Sequence, residues 1–385
     1  MSKLEGLMLS MLVALTLAEG LTHFGQAYVD SPGYMQVTQF IRGRAVITEG
    51  VRFRLLRPIV PFLAAVLSAI MQPRLAFAFV NLVLWCASAI LMFYFTKLFT
   101  KNKYAAFASS VFFTASIPLI IFGAAVYTDM AGYFFILLGS YLILRWDIPR
   151  ANFERTCVAS VVTGLGIISR ESVACVMIFM LVWGIVSRGS VLRIVLYEGI
   201  IAVFALIWST LVGVSYTAWY LHGGVNMSSY AVLGLGGGII GLFRSLLYAF
   251  GEIPIVLTLV LLGVLQTYEI PKLKKFGSLM LSELAVIVAW PVIGTRFTFI
   301  LFPALLPLAG IGIDGAYTII FGSPIVASMW PSLAKSPKTR VVFVGVILAA
   351  YVVITNVVTK GFISLPWHLY TDPSIIPSNL QWVTN

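Results

Sequence analysis

The chain has 385 residues, of which 60% are hydrophobic and 10% charged, with a mean hydropathy of +1.00. Soluble domains are about 45–50% apolar and about 25% charged, so a soluble globular fold, a disordered chain and a disulfide-rich secreted scaffold are excluded. The net charge of +11 comes from 25 Lys and Arg against 14 Asp and Glu. In a soluble protein it would suggest nucleic acid, but in a membrane protein it marks cytoplasmic loops, so no nucleic-acid partner is expected.

A spanning helix takes about 20 apolar residues. In chain order, such runs occur at 5–23, 75–95, 104–122, 128–145, 157–169, 172–187, 192–215, 254–270, 278–293, 297–319 and 340–358. They predict an all-α, multi-pass integral membrane protein with about 11 transmembrane helices, forming a single transmembrane domain over residues 1–385. The first run lacks a small-residue cleavage site and carries Glu5 and Glu19 at its ends, so it reads as a retained helix. Run 58–71 is too short to span and holds Pro58 and Pro61, which suits a re-entrant or interfacial segment. Segment 241–252 is amphipathic, and Pro254 suits the first turn of the helix after it. The polar-leaning stretches are a first loop at 24–74, a loop at 216–253 and a tail at 359–385.

Several local signals carry no chemistry. Cys86, Cys157 and Cys175 lie in apolar runs and read as small buried hydrophobes. Gly236, Gly238 and Gly241 spell GxGxxG, but no strand precedes them, so a nucleotide site is not expected. His23, His222 and His368 are scattered and read as aromatic surface residues.

Charge orients the chain. With the N-terminus in the cytoplasm, the cytoplasmic loops receive Lys97, Lys101, Lys103, Arg145, Arg150, Arg155, Arg188, Arg193, Lys272, Lys274, Lys275, Lys335, Lys338 and Arg340. Counting 58–71 as a full span would reverse this, which supports its interfacial reading. The basic residues left outside are Arg42, Arg44, Arg52, Arg54, Arg57, Arg74, Arg170, Arg244, Arg296 and Lys360, six of them in the first loop. An external arginine cluster beside apolar segments reads either as a loop hugging lipid headgroups or as an anion site. The guanidinium fork matches phosphate in two-point contact, which favours the anion site.

Few acids are present, so each can be placed. Asp129 opens a long apolar run, where it acts as a helix-start acid or as a site carboxylate. Asp30, in Asp-Ser-Pro-Gly, reads as a turn or as a general base that takes a proton from an acceptor hydroxyl. Arg170 and Glu171 are adjacent at a span end and suggest an ion pair.

The order of these features resembles the GT-C superfamily of multi-pass glycosyltransferases, near the aminoarabinose transferases and protein O-mannosyltransferases. The resemblance rests on a first-loop aspartate with a tyrosine soon after (Asp30, Tyr34), the basic run RFRLLRPIVPFLA, and a second acid at a helix start (Tyr127-Thr128-Asp129). A span ending in Ser169-Arg170-Glu171 and the late segment GTRFTFILFPALLP complete it. It implies inverting sugar transfer from a polyprenyl-phosphate donor to an acceptor on the external side of the cell membrane. Asp30 matches the first-loop acid and Asp129 the second. Arg57, Arg170 and Arg296 match basic positions that hold the lipid phosphate, with Arg54 and Arg52 as further candidates and Tyr34, Glu171 and Glu252 in support. Asp30 is followed by Ser31 rather than by a second acid, so a divalent metal is not supported and no cofactor is expected. Membrane lipids are partners in this reading; the acceptor, whether lipid, glycan or protein, is not readable. A transporter or flippase for an anionic lipid or solute is the alternative, and a non-catalytic membrane scaffold is the third.

Overall fold

The computed structural model describes residues 2–27, 31–215, 238–251, 254–267, 270–289, 295–324, 328 and 336–363. Within these residues the chain is helical, with no strand. The helices are α1 (Lys3–Thr22), α2 (Ser31–Ile41), α3 (Glu49–Arg52), α4 (Ile59–Leu67), α5 (Pro73–Thr96), α6 (Lys103–Thr114), α7 (Ile117–Phe122) and α8 (Asp129–Trp146). They continue as α9 (Phe153–Ile167), α10 (Ala174–Val186), α11 (Val191–Val212), α12 (Gly238–Ala249), α13 (Ile255–Gln266), α14 (Ile270–Ala289), α15 (Phe302–Phe321) and α16 (Pro337–Ile363). Five described helical stretches are long and apolar enough to cross a membrane by length and composition. They correspond to α1, α5, α11, α15 and α16.

Local chemistry explains the boundaries. Ser2 and Glu5 form a reciprocal capping box that starts α1. Pro73 begins α5, where a missing amide costs nothing. The expected span 104–122 is broken in two: α6 stops at Thr114, and Pro118 sits in the first turn of α7, where it has no amide to continue the ladder. The expected short segment 58–71 contains α4, a helix of nine residues. Segment 241–252 falls largely in α12, and Pro254 is the N-cap residue of α13.

The core holds α5, α6, α8 and α15, with Trp85, Phe112, Phe113, Tyr133 and Phe302 buried. Helices α13 and α15 cross closely. A Cβ on Gly263 would strike the Leu308 carbonyl, and one on Gly312 would strike that of Leu259, so small residues permit the approach. By contrast α11 is mostly uncovered, with Leu192, Val195, Val203, Leu206 and Leu211 outward, as a lipid-facing helix should be.

Candidate functional site

The site forms at one end of the bundle, where three loops are tied to one another. Asn81, buried in the middle of apolar α5, donates from Nδ2 to the carbonyls of Ala125 (2.6 Å) and Tyr127 (2.8 Å). This fixes the segment leading into α8. The first loop is bound to the same segment: the Gly25 amide donates to the Ala124 carbonyl (3.1 Å), the Val126 amide to the Gln26 carbonyl (3.0 Å), and the Ser31 hydroxyl to the Val126 carbonyl (3.0 Å). Arg74 Nε donates to the Gly25 carbonyl from the start of α5.

At the centre is Tyr34, fully buried on α2. Its hydroxyl accepts from Arg57 Nη1 (2.5 Å) and from Thr128 Oγ1 (3.2 Å). Arg57 follows the 3-10 turn Phe53–Leu56 and grips Glu171 at two points, from Nε to Oε2 (2.8 Å) and from Nη2 to Oε1. Burial works most strongly against the charge on Arg57, but the attraction and hydrogen bonds of Glu171 and Tyr34 together outweigh it and raise the guanidinium above its ordinary pKa. Arg170 Nη1 donates to Thr128 Oγ1 (3.1 Å), and its Nη2 lies 2.9 Å from Asp129 Oδ1. Arg57, Asp129, Arg170 and Glu171 are each under a tenth exposed.

Arg170 and Glu171 therefore take separate partners instead of each other. Arg170 is extended (φ −163°, ψ 128°) between the end of α9 and the 3-10 turn Glu171–Val173, and an extended residue sends its side chain away from its neighbour's. The Arg170 stem lies against Gly132 of α8, where a Cβ would come within 2.6 Å of Arg170 Cβ. Asp129 occupies the first turn of α8, at the positive end of the helix dipole.

Of the other expected residues, Arg54 is half-buried, its guanidinium 5.7 Å from the centre of the Tyr34 ring and 4.6 Å from that of Phe53, with its stem against Gly33. Arg52 is exposed and paired with Glu49 at 3.4 Å. Arg296 lies in the 3-10 turn Thr295–Leu301, its side chain outside the described set. Asp30 and Glu252 lie outside the described residues. No cluster of three metal-ligating side chains is present among the described residues. Asp129 and Glu171 each face an arginine, which is not an arrangement that fits a divalent cation.

Beside Asp129 is a narrow pocket lined chiefly by Pro118, Leu119, Phe122, Met130, Tyr133 and Phe299. Sequence reasoning missed Asn81 and Tyr133. Both sit inside apolar runs, where no spacing distinguishes a working polar group from a core residue.

No protein-family profile and no curated protein matches the chain. Solved structures do. The oligosaccharyltransferase of Archaeoglobus fulgidus in the apo form superposes with a TM-score of 0.57 at 9% identity, covering 98% of this chain and 59% of that one. ArnT from Cupriavidus metallidurans in the apo state gives a TM-score of 0.58 at 14% identity, covering 92% of this chain and 75% of that one. AglB from Archaeoglobus fulgidus, in complex with an inhibitory peptide and a dolichol-phosphate, gives 0.56 at 10% identity, covering 93% of this chain and 56% of that one. The chain thus spans well under two thirds of the oligosaccharyltransferase's length. At these identities the likeness concerns the backbone alone: the chain shares the fold of these solved structures.

Proposed function

We propose that the protein is a glycosyltransferase that moves a sugar from a polyprenyl-phosphate donor to an acceptor, with inversion at the anomeric carbon. In this reading about 11 spans place the N-terminus in the cytoplasm and the site on the external face of the cell membrane. Asp30 is the general base on the acceptor hydroxyl. Asp129 orients donor or acceptor. Arg57, Arg170 and Arg296, with Arg54 and Arg52, hold the lipid phosphate and stabilise the charge that grows on it as the glycosidic bond breaks. Tyr34, Glu171 and Glu252 support them.

The observation that carries this reading is one buried network joining the first loop (Tyr34, Arg57), the start of α8 (Thr128, Asp129) and the α9–α10 turn (Glu171, Arg170). A scaffold has no need to gather such groups from three loops. Gln26 and Ser31, which flank the segment containing Asp30, both bond to Val126, three residues before Asp129. That supports convergence of the two acids.

One observation favours the transporter reading: the carboxyl oxygens of Glu198 and Glu283 are shielded and make no hydrogen bond of normal geometry among the described residues, and intramembrane acids often serve transport. The deciding experiment is reconstitution in vesicles with radiolabelled polyprenyl-phosphate sugars. Transfer of label to an acceptor that is lost in Asp30→Asn and Asp129→Asn supports the enzyme. Movement of label across the bilayer without transfer supports the carrier, and full transfer by both variants rejects the assigned roles.

A further inference from the structure

The geometry points to a hydroxyl-recognition subsite under the narrow pocket, in which Tyr133, backed by Glu283, holds one hydroxyl group of the donor sugar. This rests on the donor reading above. Tyr133 follows Asp129 by one helical turn of α8, so the two share a face, and both line the pocket. The pocket has room for about one water molecule, which admits a single hydroxyl and not a sugar ring.

Tyr133 is 1% exposed and its ring is fixed, stacked on Phe113 at 4.6 Å and set edge-on to Phe299 at 5.8 Å. Its hydroxyl nevertheless has no hydrogen-bond partner among the described residues. Glu283 of α14 is also 1% exposed, and neither of its oxygens makes a hydrogen bond of normal geometry among the described residues. It lies by the Ala304 amide in the first turn of α15, within electrostatic reach of Tyr133 and Cys175. Almost all buried polar groups in proteins are hydrogen-bonded, because an orphan gives up its bonds to water and gains none in return. Tyr133 lines the pocket with a hydroxyl whose bonding capacity is unused, and a hydroxyl entering the pocket would meet it.

The position of Asp129 selects the donor. It lines the pocket and faces Arg170 at 2.9 Å, so the pocket adjoins a guanidinium assigned to the phosphate. The group bonded to that phosphate is the sugar. The walls of Pro118, Leu119, Phe122 and Phe299 are apolar, so a hydroxyl that enters finds its polar partners at Asp129 and Tyr133. Tyr133 and Glu283 are thus specificity-determining residues, since a site built around a hydroxyl rejects an analogue that lacks it.

The test measures binding to the purified full chain in detergent with farnesyl phosphate and with its mannosyl, glucosyl and galactosyl esters. Wild type should bind at least one ester more tightly than farnesyl phosphate. Tyr133→Phe should remove about tenfold of affinity for that ester, the worth of one buried hydrogen bond, while binding farnesyl phosphate as wild type does. Glu283→Gln, which can still hydrogen-bond, should retain most of the preference, and Glu283→Leu should lose it. If Tyr133→Phe and Glu283→Leu bind the ester as wild type does, or if no ester outbinds farnesyl phosphate, the subsite is overturned and the phosphate reading stands. If farnesyl phosphate itself fails to bind wild type, the donor reading falls and takes the subsite with it.

Discussion

Arg57 and Glu171 are 114 positions apart and meet in a two-point ion pair, with Nε donating to Oε2 at 2.8 Å. The contact clamps the first loop to the turn between α9 and α10, and both groups are buried. Removing one partner strands a charge in the interior, at a cost of about 3–5 kcal/mol, whereas replacing both with apolar residues of similar volume is often neutral. Glu171→Leu and Arg57→Met should each lower the unfolding temperature in detergent, and the double variant should recover most of the loss. If the single variants melt like wild type, the clamp carries no stability.

Asp30 and Asp129 have separate roles in the proposed chemistry, and their variants should behave differently. Loss of a general base costs about 10²–10⁴ in rate, so Asp30→Asn should reduce kcat with little change in donor KM. Asp129→Asn unbalances Arg170 and should alter donor KM as well as kcat. Steady-state kinetics with varied donor separate the two. Identical profiles would sink the division of labour.

Gly132→Ala should cost about 1–3 kcal/mol, because the new methyl group would press on the Arg170 stem, with Cγ at 2.8 Å. α8 and the α9–α10 turn would have to part, which moves Arg170 away from Asp129. Thermal unfolding and donor affinity should therefore fall together. Unchanged donor binding in a destabilised variant would show that Arg170 does not need this seat.

Asn81→Leu should leave the Ala125 and Tyr127 carbonyls without their donor in a dry interior. Each lost partner costs about 1–3 kcal/mol. Hydrogen exchange should rise over residues 123–128 while the rest of α5 stays protected. Uniform exchange across the bundle would mean that Asn81 acts on global stability alone.

Much of the architecture was legible in the apolar runs, because a bilayer demands long helices and leaves their lengths in the sequence. Breaks inside those runs were harder to see. The run 104–122 looked continuous, and Pro118 is the signal that splits it. At the site, Tyr34, Arg57, Asp129, Arg170 and Glu171 were all candidates, and the structure brings these five together. Their pairing was not legible: adjacency suggested Arg170 with Glu171, while the extended backbone at Arg170 sends the two side chains to different loops. Tyr133 and Glu283 were invisible as a pair, since no local pattern relates a residue of α8 to one of α14.

The quartet of Arg57, Glu171, Arg170 and Asp129 also bears on how the protein meets an anion. Two positive and two negative groups sum to zero, so from a distance the cluster resembles a quadrupole, whose potential decays much faster than that of a lone guanidinium. A phosphate in solution or in the headgroup layer would feel little pull from it. Capture would then proceed as exchange at close range, with the incoming oxygens taking over contacts that the carboxylates already hold. The encounter rate should vary only weakly with ionic strength, and the arginines that attract from afar would be exposed ones such as Arg44.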